Sequence, residues 1–83
     1  MRILYFAWVR EQIGTGEEDV SPPADVVTVA ALVDWLAGRS GHHAAAFAER
    51  GRLRAAVDGV FTNFDASVLG AREVAIFPPV TGG

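Results

Sequence analysis

Residues Glu73 to Gly83 read EVAIFPPVTGG, a strand-forming run that meets two prolines and stops on two glycines. Val74 and Ile76 alternate with Ala75 and Phe77, the period-2 pattern of a strand with two distinct faces. Phe77 precedes a proline and is pushed toward extended backbone, while Pro78 and Pro79 fix φ near about −65° and offer no N–H to a neighbouring strand. The strand is therefore expected to end at Phe77, and residues 78–83 to leave it as a stiff, outward-pointing arm. A frayed terminus is the ordinary alternative, but a Pro-Pro stem directly after an apolar run argues against it. Gly82 and Gly83 carry no Cβ, so the tip can pass a slot that larger residues would block and bring the Gly83 carboxylate to its far end.

Working back from this ending, Leu53–Val57 has strand character, and Asp58-Gly59 is a strong two-residue hairpin signal leading into a return strand over Val60–Asn63. Val29, Leu32, Val33 and Leu36 recur at i, i+3, i+4 and i+7, one stripe of a helix, with Thr28 placed as its N-cap and Gly38 just past its end. Trp35 lies off that stripe. The alanine-rich stretch His43–Arg50 predicts a short helix anchored by Phe47 and closed by Gly51. At the start of the chain, Arg2–Val9 (RILYFAWV) predicts one strand, with Ile3, Tyr5, Ala7 and Val9 on one face and Leu4, Phe6 and Trp8 on the other. Arg10–Gly16 predicts a turn region. A weaker strand is expected near Glu18–Ser21, ended by Pro22-Pro23. Two strands, a helix and at least three more strands, with the last placed beside the first, make an α+β, ubiquitin-like β-grasp: a mixed sheet of four to five strands packed on one main helix. Residues 1–83 are expected to form a single domain, with 78–83 as its tail.

Composition narrows the function. Ten acidic against seven cationic residues give a net charge of −3, which disfavours nucleic acid. No apolar run approaches the ~20 residues of a membrane span. The strand pattern begins at once, without a charged leader, so a cytoplasmic protein is expected. With no cysteine, the chain cannot carry a group on its own sulfur. All seven cations are arginine, so no side-chain amine of the chain's own can attack an activated carboxyl group.

Side-chain constellations offer little chemistry. Adjacent His42 and His43 would point about 100° apart on a helix, unlike an i, i+4 ligand pair, so no metal is expected. Asp58 fits its turn, and Glu17-Glu18-Asp19 a solvated loop or edge. The Gly83 carboxylate remains, inert until a partner converts it to an acyl-adenylate with ATP. A sulfur donor could then turn it into a terminal thiocarboxylate, making the chain a carrier that delivers sulfur at the tip of its arm.

The ending EVAIFPPVTGG, with RILYFAWVRE at the start and LRAAVDGV over Leu53–Val60, resembles the small sulfur-carrier subunit of molybdopterin synthase, the MoaD-type branch of the ubiquitin-like sulfur carriers. The resemblance covers essentially the whole chain. It implies that Gly83 is adenylated by an E1-like enzyme and becomes a thiocarboxylate. Pro78, Pro79, Val80, Thr81 and Gly82 would then insert into the large subunit of molybdopterin synthase, where sulfur passes to cyclic pyranopterin monophosphate to form molybdopterin. The family synthase is a heterotetramer with two of each subunit. The groups acting on the pterin belong to the large subunit, so no activity is expected of this chain alone. Phe6, Phe61 and Phe77 match a partner-docking patch, which turns Ile3 and Tyr5 toward the helix. No tightly bound cofactor is implied. The family usually has asparagine at the place of Asp58 and a Gly-Asp-Glu turn where this chain has Gly70-Ala71-Arg72-Glu73. Alternative readings are a carrier for another pathway of the thiamine type, a ubiquitin-like protein modifier, or a plain binding module.

Overall fold

The computed structural model describes residues 1–79. Five strands form one mixed sheet: β1 (Arg2–Tyr5), β2 (Glu17–Asp19), β3 (Arg54–Val57), β4 (Val60–Thr62) and β5 (Glu73–Phe77), in the spatial order β2-β1-β5-β3-β4. β5 lies at the centre. It runs parallel to β1, with Arg2 opposite Glu73 and Tyr5 opposite Ile76, and antiparallel to β3. First and last strands are therefore neighbours, as the β-grasp expectation requires.

One face of the sheet is covered by α1 (Ala7–Ile13), α2 (Val29–Ala37) and α3 (Gly41–Ala46). The stripe of α2 behaves as its spacing predicts: Val29, Leu32, Val33 and Leu36 are fully buried, against Ile3, Tyr5, Val74 and Ile76 of the sheet. Each such burial favours folding by about 1.5–3 kcal/mol relative to exposure, and together they hold the helix on the sheet. The Thr28 side chain accepts a hydrogen bond from the Ala31 N–H and caps the helix. Gly38 ends it in right-handed backbone, φ −81°, so the glycine is not serving a left-handed cap.

The chain departs from the sequence reading first at Phe6. β1 stops at Tyr5, and Ala7–Ile13 is helical, where a strand to Val9 and a turn over Arg10–Gly16 were expected. Val9 and Ile13, four residues apart, are both buried, and Gly14 ends the helix at φ 95°. Those two features outweigh the β propensity of the aromatic run. Ala7 has φ 53°, a left-handed conformation costing a non-glycine residue about 1–2 kcal/mol, and it is the hinge that turns strand into helix.

Smaller boundaries also move, β3 and β4 by one residue each, to Arg54–Val57 and Val60–Thr62. The second strand sits at Glu17–Asp19, because pairing with β1 recruits the acidic run as an edge strand. The short helix spans Gly41–Ala46 where His43–Arg50 was expected: it starts two residues earlier because the Ser40 hydroxyl accepts the His43 N–H, and it ends four residues earlier, so Gly51 belongs to a separate turn and does not close it. Phe47 is buried at its end, and a 3-10 turn follows at Arg50–Arg52.

The β3–β4 hairpin turns as its sequence demands. Asp58 and Gly59 have φ 48° and 83°, both left-handed, the signature of a tight two-residue hairpin turn. The Asp58 Oδ1 also accepts the N–H groups of Arg72 and Glu73, each at 3.0 Å. That pair of bonds ties the hairpin to the start of β5.

A buried polar line joins β1, β2 and α3. The Tyr5 hydroxyl donates to Glu18 Oε2 at 2.6 Å, and His43 Nε2 donates to the same oxygen at 2.7 Å. On the other side of the ring, His43 Nδ1 lies 2.7 Å from the Ser40 hydroxyl. Arg39 approaches Glu18 Oε1 at 3.5 Å. Burial alone would raise the Glu18 carboxyl, but the bonds from His43 and Tyr5, with the charges of His43 and Arg39, together hold it below its ordinary value. Burial first, and the adjacent Glu18 second, push the Tyr5 hydroxyl far up. His43 is thus part of a structural tie.

Candidate functional site at the open sheet face and arm root

The face of the sheet opposite the helices is floored by small residues. Leu4, Ala75, Ala56 and Phe61 stand in one row across β1, β5, β3 and β4, by the register pairs Leu4–Ala75, Ala75–Ala56 and Ala56–Phe61. Ala56 and Ala75, in the middle of that row, are small and themselves buried. Phe61 is 74% exposed and its ring lies 5.3 Å from that of Phe77, tilted by 44°. Phe77 is half-buried, and Phe6, just beyond β1, is 48% exposed. Ile3 and Tyr5 point the other way and are buried, as the resemblance implied.

Apolar side chains of this size left in solvent are informative when contiguous. Phe61 and Phe77 line one groove together with Arg54, Thr62 and Pro79. The Arg54 guanidinium donates to the carbonyls of Gly51 and Leu53, which fixes it beside the groove. Pro78 is half-buried and Pro79 exposed. Both lie on a second groove with Trp8, Gly51 and Arg52, where the Arg52 guanidinium lies 4.7 Å over the Trp8 ring. Val80, Thr81, Gly82 and Gly83 lie outside the described residues.

Sequence reasoning located Phe6, Phe61, Phe77 and the prolines but missed Trp8, Arg52 and Arg54 around the root of the arm. Trp8 was misplaced because residues 7–9 were assigned to β1. The alternation Arg50, Arg52, Arg54 was visible, yet nothing in it tells that Arg50 pairs with Asp34 while Arg52 and Arg54 flank the prolines.

Among the described residues, the polar side chains do not form a reaction centre. The Ser40 hydroxyl is engaged by the backbone N–H and the ring of His43, and Glu18 by Tyr5, His43 and Arg39. The molecule is a β-grasp domain whose last strand emerges at the sheet centre, beside an open aromatic face, and continues into a proline stem.

That class has relatives. The model of the ThiS family matches residues 3–83, and the chain belongs to this family. The chain is 45% identical over 83 residues to the molybdopterin synthase sulfur carrier subunit of Escherichia coli, covering 100% of this chain and 99% of that protein. Its counterpart from Haemophilus influenzae is 34% identical over 83 residues, with the same coverage. Among solved structures, the small archaeal modifier protein 1 of Haloferax volcanii superposes with a TM-score of 0.72 at 26% identity, over 96% of this chain and 97% of that one.

Proposed function

We propose that this chain is a sulfur carrier of molybdenum cofactor biosynthesis and acts through the carboxylate of Gly83. The observation that carries the reading is the 45% identity, over the full length of both chains, to a molybdopterin synthase sulfur carrier subunit. The fold supports it physically. The central strand that ends in Phe77 is gripped on both sides, so it gives the proline stem a fixed base.

In this reading an E1-like partner docks on the open face around Phe6, Phe61 and Phe77. The Gly83 carboxylate attacks the α-phosphorus of ATP and releases pyrophosphate, leaving an acyl-adenylate. A nucleophile that delivers sulfur at the sulfide level then attacks the carbonyl and expels AMP, leaving a thiocarboxylate. The arm, Pro78 to Gly82, next enters the large subunit of molybdopterin synthase, in a complex with two of each subunit. There the terminal sulfur is given to cyclic pyranopterin monophosphate. The chain contributes presentation and cargo; the groups acting on the pterin are the large subunit's. Among the described residues no helix is long and apolar enough to cross a membrane. The proposed site of work is the cytoplasm, where the activating enzyme and its ATP are at hand.

The test is intact mass after incubation with the cognate activating enzyme, ATP and a sulfur donor. Replacement of one oxygen by sulfur at Gly83 is expected, and no such gain with an active partner would overturn the reading. The likeness to an archaeal modifier protein supports a second reading, attachment of Gly83 to lysines of other proteins. Isopeptide-linked adducts in place of a free thiocarboxylate would favour it.

A further inference from the structure

We propose that Arg52 and Arg54 are a pair of held, unneutralised cations that receive carboxylates of a partner protein beside Pro79. The proposal rests on the carrier reading for the identity of that partner, the large subunit of molybdopterin synthase, and adds the chemistry by which it is met.

The chain as a whole is acidic, with ten carboxylate side chains against seven arginines. Among the described residues Arg2 pairs with Glu17 and Glu73, Arg39 with Glu18, and Arg50 with Asp34. Arg72 shares a groove with Asp58 and Glu73, and Arg10 shares one with Glu17. Arg52 and Arg54 differ. The two grooves that meet at Pro79 hold one of them each and no acidic residue, so positive charge is concentrated at one place on a negative molecule. Glu49 lies in a further groove with Arg52 but forms no ion pair with it among the described residues.

Both cations are exposed, and both are held by groups that carry no charge. The Arg52 guanidinium lies over the Trp8 ring, which orients it without neutralising it. Nη1 of Arg54 donates to the carbonyls of Gly51 and Leu53, at 3.1 and 2.8 Å. Its Nε and Nη2 edge, the side that grips a carboxylate through two parallel bonds, has no partner among the described residues. A side chain already fixed loses little freedom when it meets its partner.

Arg54 also lines the groove of Phe61 and Phe77, so it stands at the margin of the open aromatic face. Protein interfaces carry their charged contacts at such a rim, where they speed encounter and select partners more than they add to affinity. Cations beside an apolar face fit a protein surface that bears acidic residues; a free phosphate has no use for the aromatic rings.

Stopped-flow association with the large subunit over a range of salt concentrations tests this. The unaltered chain should associate more slowly as salt rises. At low salt, Arg52→Gln and Arg54→Gln should each slow association by roughly 2- to 10-fold, and the double variant further and with a flatter salt dependence. Arg52→Lys keeps the charge and should restore most of the rate. Gln variants that associate at the unaltered rate, a rate independent of salt, or a Lys variant as slow as its Gln counterpart overturns the proposal. Normal association of the Gln variants together with slower adenylation by the activating enzyme would point to a phosphate contact, and overturns it equally. Should Arg54→Gln fail to fold without its two carbonyl bonds, the Arg52 variants decide. If the unaltered chain does not bind the large subunit at all, the carrier reading fails and the proposal with it; normal binding that the variants leave unchanged sinks the proposal alone.

Discussion

Phe61 and Phe77 touch across a strand that separates them. Their rings lie 5.3 Å apart although β3 runs between β4 and β5, and the small Ala56 beneath makes the meeting possible. Phe77→Ala is expected to weaken binding to the large subunit of molybdopterin synthase by ~1–3 kcal/mol, the loss of a central aromatic anchor. Phe61→Ala, at a more exposed position, should act in the same direction while changing the fold's own stability by less than about 0.5 kcal/mol. Calorimetric titration checks the first quantity and denaturant unfolding the second. Unchanged affinity with a destabilised fold would return both rings to ordinary packing.

Removal of Gly83 should abolish cofactor synthesis and leave partner docking and the melting temperature nearly unaltered, because on the proposed carrier role it takes away the reacting terminus, and it removes no part of the described core. Retained activity in the truncated chain would refute a terminal thiocarboxylate mechanism. The check is complementation of a strain lacking the carrier, with binding measured in parallel.

Asp58 makes a prediction about the base of the arm. Its Oδ1 accepts two backbone N–H groups at the start of β5, and its own backbone is left-handed. Asp58→Ala loses both bonds and puts a Cβ-bearing residue without a local hydrogen bond into that conformation, so a cost of about 1–2 kcal/mol is expected. Asp58→Asn keeps the acceptor oxygen and tolerates the backbone, and should cost much less. Urea unfolding of the pair measures the difference.

Stability should fall at both ends of the pH scale for reasons lodged in one network. The Glu18 carboxyl titrates below its ordinary value in the folded protein, so its contribution is full above the unfolded value of about 4.3 and is lost as pH falls through the folded one. Tyr5 shifts the opposite way: its raised hydroxyl contributes fully below the unfolded value of about 10, and that contribution is lost as pH rises further. Thermal melts across pH should show both shoulders. Glu18→Gln should remove the acid one, and Tyr5→Phe the alkaline one.

Much of the architecture was legible because strong local signals agreed with the tertiary arrangement. Glu73–Phe77 has its predicted ends, set by alternation on one side and Pro78 on the other. The Asp58-Gly59 turn and the Thr28 cap likewise follow from backbone chemistry at single residues. Ala7–Ile13 was not legible in the same way. Phe6, Trp8 and Val9 favour strand locally, and only the burial of Val9 and Ile13 against the rest of the core makes helix the better outcome. The Tyr5–Glu18–His43 line was hidden for a different cause. Its members lie 13 and 25 residues from Glu18, and no local pattern encodes a bond across that separation. At the site, the exposed aromatics could be named from the chain, but the surroundings of the arm's root depend on where α1 and the 3-10 turn at Arg50–Arg52 come to rest.

The parallel pairing of β1 with β5 joins residues 71 positions apart, Arg2 and Glu73. The middle of the sheet therefore cannot close until almost the entire chain has been made. A product cut short before Phe77 loses its central strand together with the end that would carry sulfur. The completeness of β5 is thus a condition for the sheet to form at all, whereas the residues beyond Phe77 are free to serve function without carrying the fold.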